Sequence, residues 1–396
     1  MNFKSICVLG LGYIGLPTAS TFATHGIKVT GVDVNPLVLA SLRKGEAHIQ
    51  EPGLGEALES ALKTGNLTVN ETPVEADAFI IAVPTPFCED EYGEHEGQKY
   101  RLADMGAVRS AAESIVPVLR RGNLVVLEST SPPRTTIDLL RPILEKSGLK
   151  AGVDFHLVYS PERVLPGQIL RELVENPRVI GGITPECAAA GCDLYATFVK
   201  GQIIPTDATT AEMIKLMENT YRDINIAIAN EFSRLAERFG VDIWEAIKIA
   251  SLHPRVKILN PGPGVGGHCI SVDPWFFVET APDISTLIHA ARRVNDSQPH
   301  FVLALAKKAL GDLRGRKIAA LGLAFKPDVD DLRESPAVEV IHLLQGEGGI
   351  VQAFEPFKPE ADLPGVTSVP SLAAALKEAD AVVLLVNHSQ FRALTP

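Results

Sequence analysis

The stretch ICVLGLGYIGLPTAS sets Gly10, Gly12 and Gly15 directly after a short apolar run of β type and directly before a helical pattern. Glycines at this spacing let the chain turn sharply, let a ligand reach the backbone, and let the following helix pack close to the strand. The next β-type run, KVTGVDV, carries Asp33 near its end. Strand, glycine turn, helix, strand and acid together describe a dinucleotide-binding unit, with a pyrophosphate against the positive end of the helix. A carboxylate at Asp33 accepts hydrogen bonds from an adenosine ribose and repels a 2′-phosphate, which favours NAD over NADP. The plainer alternative is a glycine-rich turn followed by a solvent-exposed Asp.

The same alternation continues through AFIIAVP, NLVVLEST and FHLVYSP, so the first ~200 residues read as a parallel, doubly wound sheet that binds ligands at the carboxyl ends of its strands. Thr85 in VPTP and Thr130 in LEST follow such strands and can line a nicotinamide ribose, although each taken alone suits an ordinary turn. Residues 5–24 carry no charge and imitate a signal sequence or membrane span, but three glycines and a proline interrupt them. The polar segment CEDEYGEHEGQKYR, residues 88–101, reads as a solvated loop. After Pro205 comes a long helical segment ending near Gly240, and from about Gly315 the β-α-β alternation resumes in a smaller second unit.

A length of 396 residues calls for two or three domains. The formal charge of −11 disfavours nucleic acid or an anionic membrane as the partner, so an anionic ligand requires a local cluster of cations. Five cysteines with no C-x-x-C pair indicate neither a disulfide framework nor a zinc knuckle, and a cytoplasmic setting is expected.

Lys215, Asn219 and Arg222 share one face of the long helix, where they either line a cleft or form its wet side. His253 and Arg255 add cations downstream. The segment 224–230, INIAIAN, is apolar almost all round, which marks the helix as a candidate subunit interface. Farther along, the glycine-rich GPGVGGHCISVDP holds Cys269 and Asp273. Three roles are open to Cys269. Metal ligation has only His268 and His253 to draw on, a buried structural thiol is the ordinary case for a lone cysteine, and a nucleophile suits a loop whose amides stabilise a thiolate. Beside a nicotinamide, a thiol nucleophile has a specific use. It adds to an aldehyde and makes a thiohemiacetal that can give up a hydride and become a thioester, from which water releases an acid.

Taken together, GLGYIGLP, GVDVN, VPTP, YSPERVLPG, AEMIKLMENTYRD, HPRV, GPGVGGHCISVDP and GLAFKPDVDDLRESPA resemble the UDP-glucose/GDP-mannose dehydrogenase family over essentially the whole chain. The resemblance implies an α/β fold of two Rossmann-like doubly wound domains joined by a central long-helix domain. The expected division is an NAD-binding domain over 1–205, a central helical dimerisation and catalytic domain over 206–310, and a UDP-sugar-binding domain over 311–396. It implies a cytoplasmic, NAD-dependent four-electron oxidation of a UDP-sugar at C6 by a homodimer. No metal, nucleic acid or membrane takes part. The segments PERVLPG and NPGPGVGGHCISVDPW resemble most closely the members acting on UDP-N-acetyl-D-mannosamine, with UDP-N-acetyl-D-glucosamine and UDP-glucose as alternatives. The implied catalytic set is Cys269 as nucleophile, Lys215 as acid/base or oxyanion partner, Glu162 for thioester hydrolysis, Asp273 and Asn219 in support. For NAD it is Gly10, Gly12, Tyr13, Ile14, Gly15, Asp33, Thr85, Thr130 and Arg333. For the nucleotide sugar it is Arg163, Val164, Lys215, Asn219, Arg222, His253, Arg255, Gly264, Phe325 and Lys326. Family members run on beyond the segment matching HSQF, so the resemblance also implies a shortened C-terminal domain in a chain that stops at Pro396. Two other functions fit parts of the pattern: a two-electron dehydrogenase of a 3-hydroxy acid, which needs no cysteine, and a catalytically silent nucleotide-binding module.

Overall fold

The computed structural model describes residue 1, residues 3–267 and residues 269–394. These form two compact units, Met1–Met217 and Glu218–Pro396.

The first unit is built on an eight-stranded sheet of order β10-β9-β8-β7-β4-β1-β2-β3. Its strands are β1 (Ser5–Leu9), β2 (Lys28–Val32), β3 (Leu67–Asn70), β4 (Ala78–Ile81), β7 (Leu124–Leu127), β8 (His156–Tyr159), β9 (Arg178–Gly182) and β10 (Ile203–Asp207). Alternate residues feed the two faces: Ile6 and Val8 of β1 pack into one core, while Cys7 and Leu9 pack into the other. Both faces of the central strands are covered, which is why β1, β4, β7 and β8 read as apolar runs. Burial pushes the Cys7 thiol up to about 11, so it acts as a small apolar side chain and not as a reactive thiol.

Two features depart from the sequence reading. The sheet is not parallel throughout: β9 runs antiparallel to β8, and β10 runs with β9. Residues 88–101, expected as a loop, lie in a β-hairpin of β5 (Phe87–His95) and β6 (Gln98–Ala103). Its two-residue turn has positive φ at both Glu96 (48°) and Gly97 (75°), the geometry that matches the twist of paired strands. The Arg101 guanidinium lies 5.0 Å from the centre of the Phe87 ring. Charge density concealed a hairpin whose signal was the Glu96-Gly97 turn.

The helix Ala208–Phe239 crosses the division between the units. In the second unit its buried Asp223 pairs with Arg292 of the helix Thr286–Asp296 at 2.6 Å, with both side chains almost fully enclosed. A three-stranded parallel sheet of order β12-β11-β13 follows, made of β11 (Lys317–Leu321), β12 (Ile350–Phe354) and β13 (Ala381–Leu384). The fold class is α/β with two Rossmann-like sheets and a long-helix region between them in the chain.

Glu355, just past β12 and 1% exposed, organises this smaller sheet. Its Oε2 accepts from the amides of Leu323 (2.7 Å) and Ala324 (3.0 Å), and its Oε1 from that of Phe357 (3.0 Å). The His388 ring, whose Nδ1 accepts from the Asp328 amide, meets Oε2 through Nε2 at 3.1 Å. Burial alone would push this carboxyl up, but His388 and the three amides outweigh it and hold it below the usual glutamate range. A lowered folded-state pKa means the contribution is complete above the usual glutamate range and is lost as pH falls through the lowered value. Glu355→Ala should therefore cost about 3 kcal/mol at neutral pH, read by denaturant unfolding, with the gap to the parent chain closing in acid.

Candidate active site

Each glycine of the first turn has a distinct physical reason. Gly10 has φ +89°, and a Cβ there would lie 2.6 Å from the Ala82 carbonyl oxygen. At Gly15, which opens the helix Gly15–Thr24, a Cβ would lie 1.8 Å from the Gly10 carbonyl oxygen. Around Gly12 there is nothing within 4 Å. Two glycines thus close the turn on itself and the third leaves open space over the backbone, where a pyrophosphate fits. The helix has no acidic residue in its first turn and no side-chain cap, so its amides are not already taken by a carboxylate of the chain. Tyr13 is exposed and Ile14 half-buried beside them. Asp33 is held firmly: Oδ2 accepts from the Leu11 amide (2.9 Å) and Oδ1 from the Asn35 amide (2.8 Å). An NAD molecule suits these residues, with Asp33 fixed at the carboxyl end of β2.

The neighbouring strand ends bring the other first-unit residues into the same row. Thr85 follows β4 and Thr130 follows β7, and the Ser129 hydroxyl ties the two loops by donating to the Val83 carbonyl at 2.7 Å. Glu162 follows β8, with its Oε1 accepting from the Arg163 amide at 2.8 Å. The Arg163 guanidinium donates to the Pro177 carbonyl, and Val164 packs against the core. Lys215 is buried on the long helix, one turn beyond Glu212. Glu212 accepts from the Thr136 amide (2.8 Å) and hydroxyl (2.7 Å), which fastens the long helix to the helical segment Thr135–Leu140 that follows β7.

Three residues of this unit escaped the sequence reading. Arg178 is enclosed between Glu128 and Glu162, its Nη2 being 2.6 Å from the first and 3.0 Å from the second. The guanidinium carbon sits 3.9 Å from the centre of the Tyr195 ring, and the Tyr195 hydroxyl donates to Glu128 Oε1 at 2.5 Å. Burial pushes the Glu128 carboxyl up to about 7 against the pull of Arg178. Glu128 stands in the quoted LEST run and was passed over for Thr130. Arg178 had no local signal, because it reaches the carboxyl edge only through the reversal of β9.

In the second unit, Asn219 Nδ2 donates to Asp273 Oδ2 at 2.6 Å, and Asp273 is 2% exposed at the start of the helix Asp273–Thr280. The Cys269 carbonyl accepts from the Asp273 amide at 2.9 Å and from that of Val272 at 3.2 Å, which fixes the backbone below an exposed Cys269. Arg222 is exposed on the long helix. Lys326 lies near enough to Arg222 and Cys269 for both to act on its charge; burial first, and then Arg222, lower its pKa. His253 and Arg255 are exposed, and the Arg255 amide donates to His253 Nδ1 at 3.3 Å. Arg333 forms a two-pronged pair with Asp331 (2.9 and 2.7 Å). His268 lies outside the described residues. Among the described residues no group of three or more His, Cys, Asp or Glu is placed to hold a metal ion.

The glycines of the cysteine loop make room for neighbouring segments of the chain. A Cβ at Gly266 would lie 2.2 Å from the Glu334 carbonyl oxygen, one at Gly267 would lie 2.9 Å from the Phe325 ring, and one at Gly264 would lie 2.9 Å from Pro336. They admit the AFKPD and RESPA segments, so Phe325 packs directly on the loop. The loop is also tethered from below: Asn230 Oδ1 accepts from the Gly262 amide at 2.9 Å, while its Nδ2 donates to Asn295 Oδ1 at 2.9 Å.

A glycine-turn dinucleotide site with two hydroxyls and a carboxylate on adjacent strand ends defines an NAD-dependent dehydrogenase. Residues 4–199 match the NAD binding domain of the UDP-glucose/GDP-mannose dehydrogenase family, residues 209–297 its central domain, and residues 319–396 its UDP binding domain. The chain is 48% identical to a UDP-N-acetyl-D-mannosamine dehydrogenase of Yersinia pestis, over all of this chain and 96% of that one. It is also 48% identical to an NDP-N-acetyl-D-galactosaminuronic acid dehydrogenase of Ralstonia nicotianae, over all of this chain and 93% of that one. The solved UDP-N-acetyl-mannosamine dehydrogenase of S. aureus superposes with a TM-score of 0.89 at 45% identity, covering 99% of this chain and 91% of that one. The chain belongs to the UDP-glucose/GDP-mannose dehydrogenase family, and it is an NAD-dependent UDP-sugar dehydrogenase.

The open space at Gly12 separates binding from folding. Gly12→Ala should unfold within about 1 kcal/mol of the parent chain yet bind NAD about 100-fold more weakly by titration calorimetry, whereas Gly15→Ala should lose stability as well.

Proposed function

We propose that the chain oxidises UDP-N-acetyl-D-mannosamine at C6 to the uronate, with two NAD consumed per sugar, for surface polysaccharide synthesis in the cytoplasm. The observation that carries this reading is an exposed Cys269 on a fixed loop, in a chain 48% identical to a relative described as acting on that sugar. The relative named for N-acetyl-D-galactosaminuronic acid, at the same identity, supports a second reading in which the sugar is a different epimer. We divide the chain at 205 and 310 into NAD-binding, central and UDP-sugar-binding domains.

Bound NAD supplies the hydride acceptor for both oxidations. Lys215 takes the proton of the C6 alcohol and stabilises the oxyanions that follow. The Cys269 thiolate adds to the aldehyde carbon, and loss of hydride from that carbon leaves a thioester. Glu162 takes a proton from water as it attacks the thioester, and the C–S bond breaks with its electron pair returning to sulfur. Asp273 orients the Asn219 amide, and Arg222, His253, Arg255 and Lys326 supply positive charge for the diphosphate. Arg163, Val164, Gly264 and Phe325 complete the sugar site. Tyr13, Ile14, Thr85, Thr130 and Arg333 complete the NAD site.

Counting NADH per sugar across UDP-N-acetyl-D-mannosamine, UDP-N-acetyl-D-glucosamine, UDP-glucose and an NDP-N-acetyl-D-galactosamine should give two only with the first. A count of one would remove the thioester route. Cys269→Ser should stop after the first oxidation, and full turnover by this variant would remove Cys269 from the chemistry.

We further propose a homodimer through the long helix. Tyr221, Ile228, Phe232, Leu235 and Phe239 lie exposed along it, 41% to 73% accessible. Apolar groups in such a row favour a partner of the same kind. Phe232→Asp combined with Leu235→Asp should yield a monomer by light scattering; an unchanged mass would discard this interface.

A further inference from the structure

A general base for thioester hydrolysis has to be correctly aimed at the attacking water, and the surroundings of Glu162 bear on its aim. Its side chain is 9% exposed, while the Arg178 side chain at 3.0 Å is 5% exposed and that of Glu128, on the far side of Arg178, is wholly enclosed. Arg178 is itself held from three directions: Nε donates to Ser160 Oγ at 3.0 Å, Nη2 reaches Glu128 at 2.6 Å, and the guanidinium lies on the Tyr195 ring. The groups facing Glu128 are Arg178, Glu162 and the hydroxyls of Tyr195 and Thr18. One buried cation therefore serves two enclosed carboxyl groups, which compete for a single guanidinium.

We propose that Arg178 is the positioning residue for Glu162, and that Glu128, by sharing the Arg178 guanidinium, sets how firmly Arg178 holds it. This rests on the reading of Glu162 as the base of the hydrolytic step. With Glu128 protonated, the Arg178 guanidinium is left to Glu162 alone and holds that side chain firmly. With Glu128 ionised, the guanidinium is shared between the two carboxyl groups and holds Glu162 less firmly. Burial favours protonated Glu128 and places its titration within the working range. Ser160 and Tyr195 fix the guanidinium in either state.

The test uses the full chain with NAD and UDP-N-acetyl-D-mannosamine, acid-quenched during turnover, with intact mass reading the sugar adduct on Cys269 and steady-state NADH formation followed from pH ~6 to ~8.5. Arg178→Met should accumulate adduct and slow its hydrolysis about 100-fold while leaving the first hydride transfer in place, and Arg178→Lys should restore part of the rate. Glu128→Gln, which keeps the shape and the acceptor for Tyr195, should flatten the pH dependence of turnover across this range. If these variants lose the first NADH and the adduct together, or if Glu128→Gln keeps the parent pH profile, the positioning role is overturned. Glu162→Gln separates this outcome from failure of the underlying reading: parent-like hydrolysis in that variant removes Glu162 as the base, whereas slow hydrolysis there beside parent-like Arg178 and Glu128 variants removes only the role of Arg178.

Discussion

A first side-chain carbon at residue 15 would sit 1.8 Å from the carbonyl oxygen of Gly10, and that forbidden distance governs the first unit. Because residue 15 has no side chain, the helix can begin directly on the turn that leaves β1. Its N-terminus then lies at the same edge as the loops after β2, β4, β7 and β8. Any larger residue would move the helix away and break up the row that carries Asp33, Thr85, Thr130 and Glu162.

The smaller sheet repeats the device with a different ending. In both units a glycine just past the first strand has φ near +90°, and its amide donates to the last residue of the adjacent strand, Gly10 to Val32 at 2.8 Å and Gly322 to Phe354 at 2.9 Å. In both, the acid after that strand accepts from the amide that follows the glycine, Asp33 from Leu11 and Glu355 from Leu323. Asp33 remains half-buried and able to meet a ribose, while Glu355 is enclosed and committed to three amides and His388. The same strand-end geometry thus leaves a carboxylate half open in one unit and builds a loop in the other, and the difference lies in how many internal donors reach the carboxylate.

Much of the site was legible in the chain because its elements are local. The glycine turn, the strand-end hydroxyls, the Lys215-Asn219-Arg222 face and the Cys269 loop each occupy a few consecutive turns, so spacing alone reveals them. The hairpin at 87–103 was hidden by its charges, although a solvated ribbon can carry charge on both faces. The packing role of Gly264, Gly266 and Gly267 was not legible, since which segment a glycine admits depends on residues some 60 positions onward.

What the sequence alone determined is the stock of chemical groups: a dinucleotide-type glycine turn, a thiol on a tight loop, and a set of cations, all encoded in short-range pattern. What only the tertiary structure decided is the state of the groups that have no local signature. Arg178 lies 16 residues after Glu162 and 50 after Glu128, and it joins them because β9 turns back against β8 and carries its first residue to the carboxyl edge. Burial and shared charge are properties of that enclosure, and no run of residues encodes them until the strand direction is known.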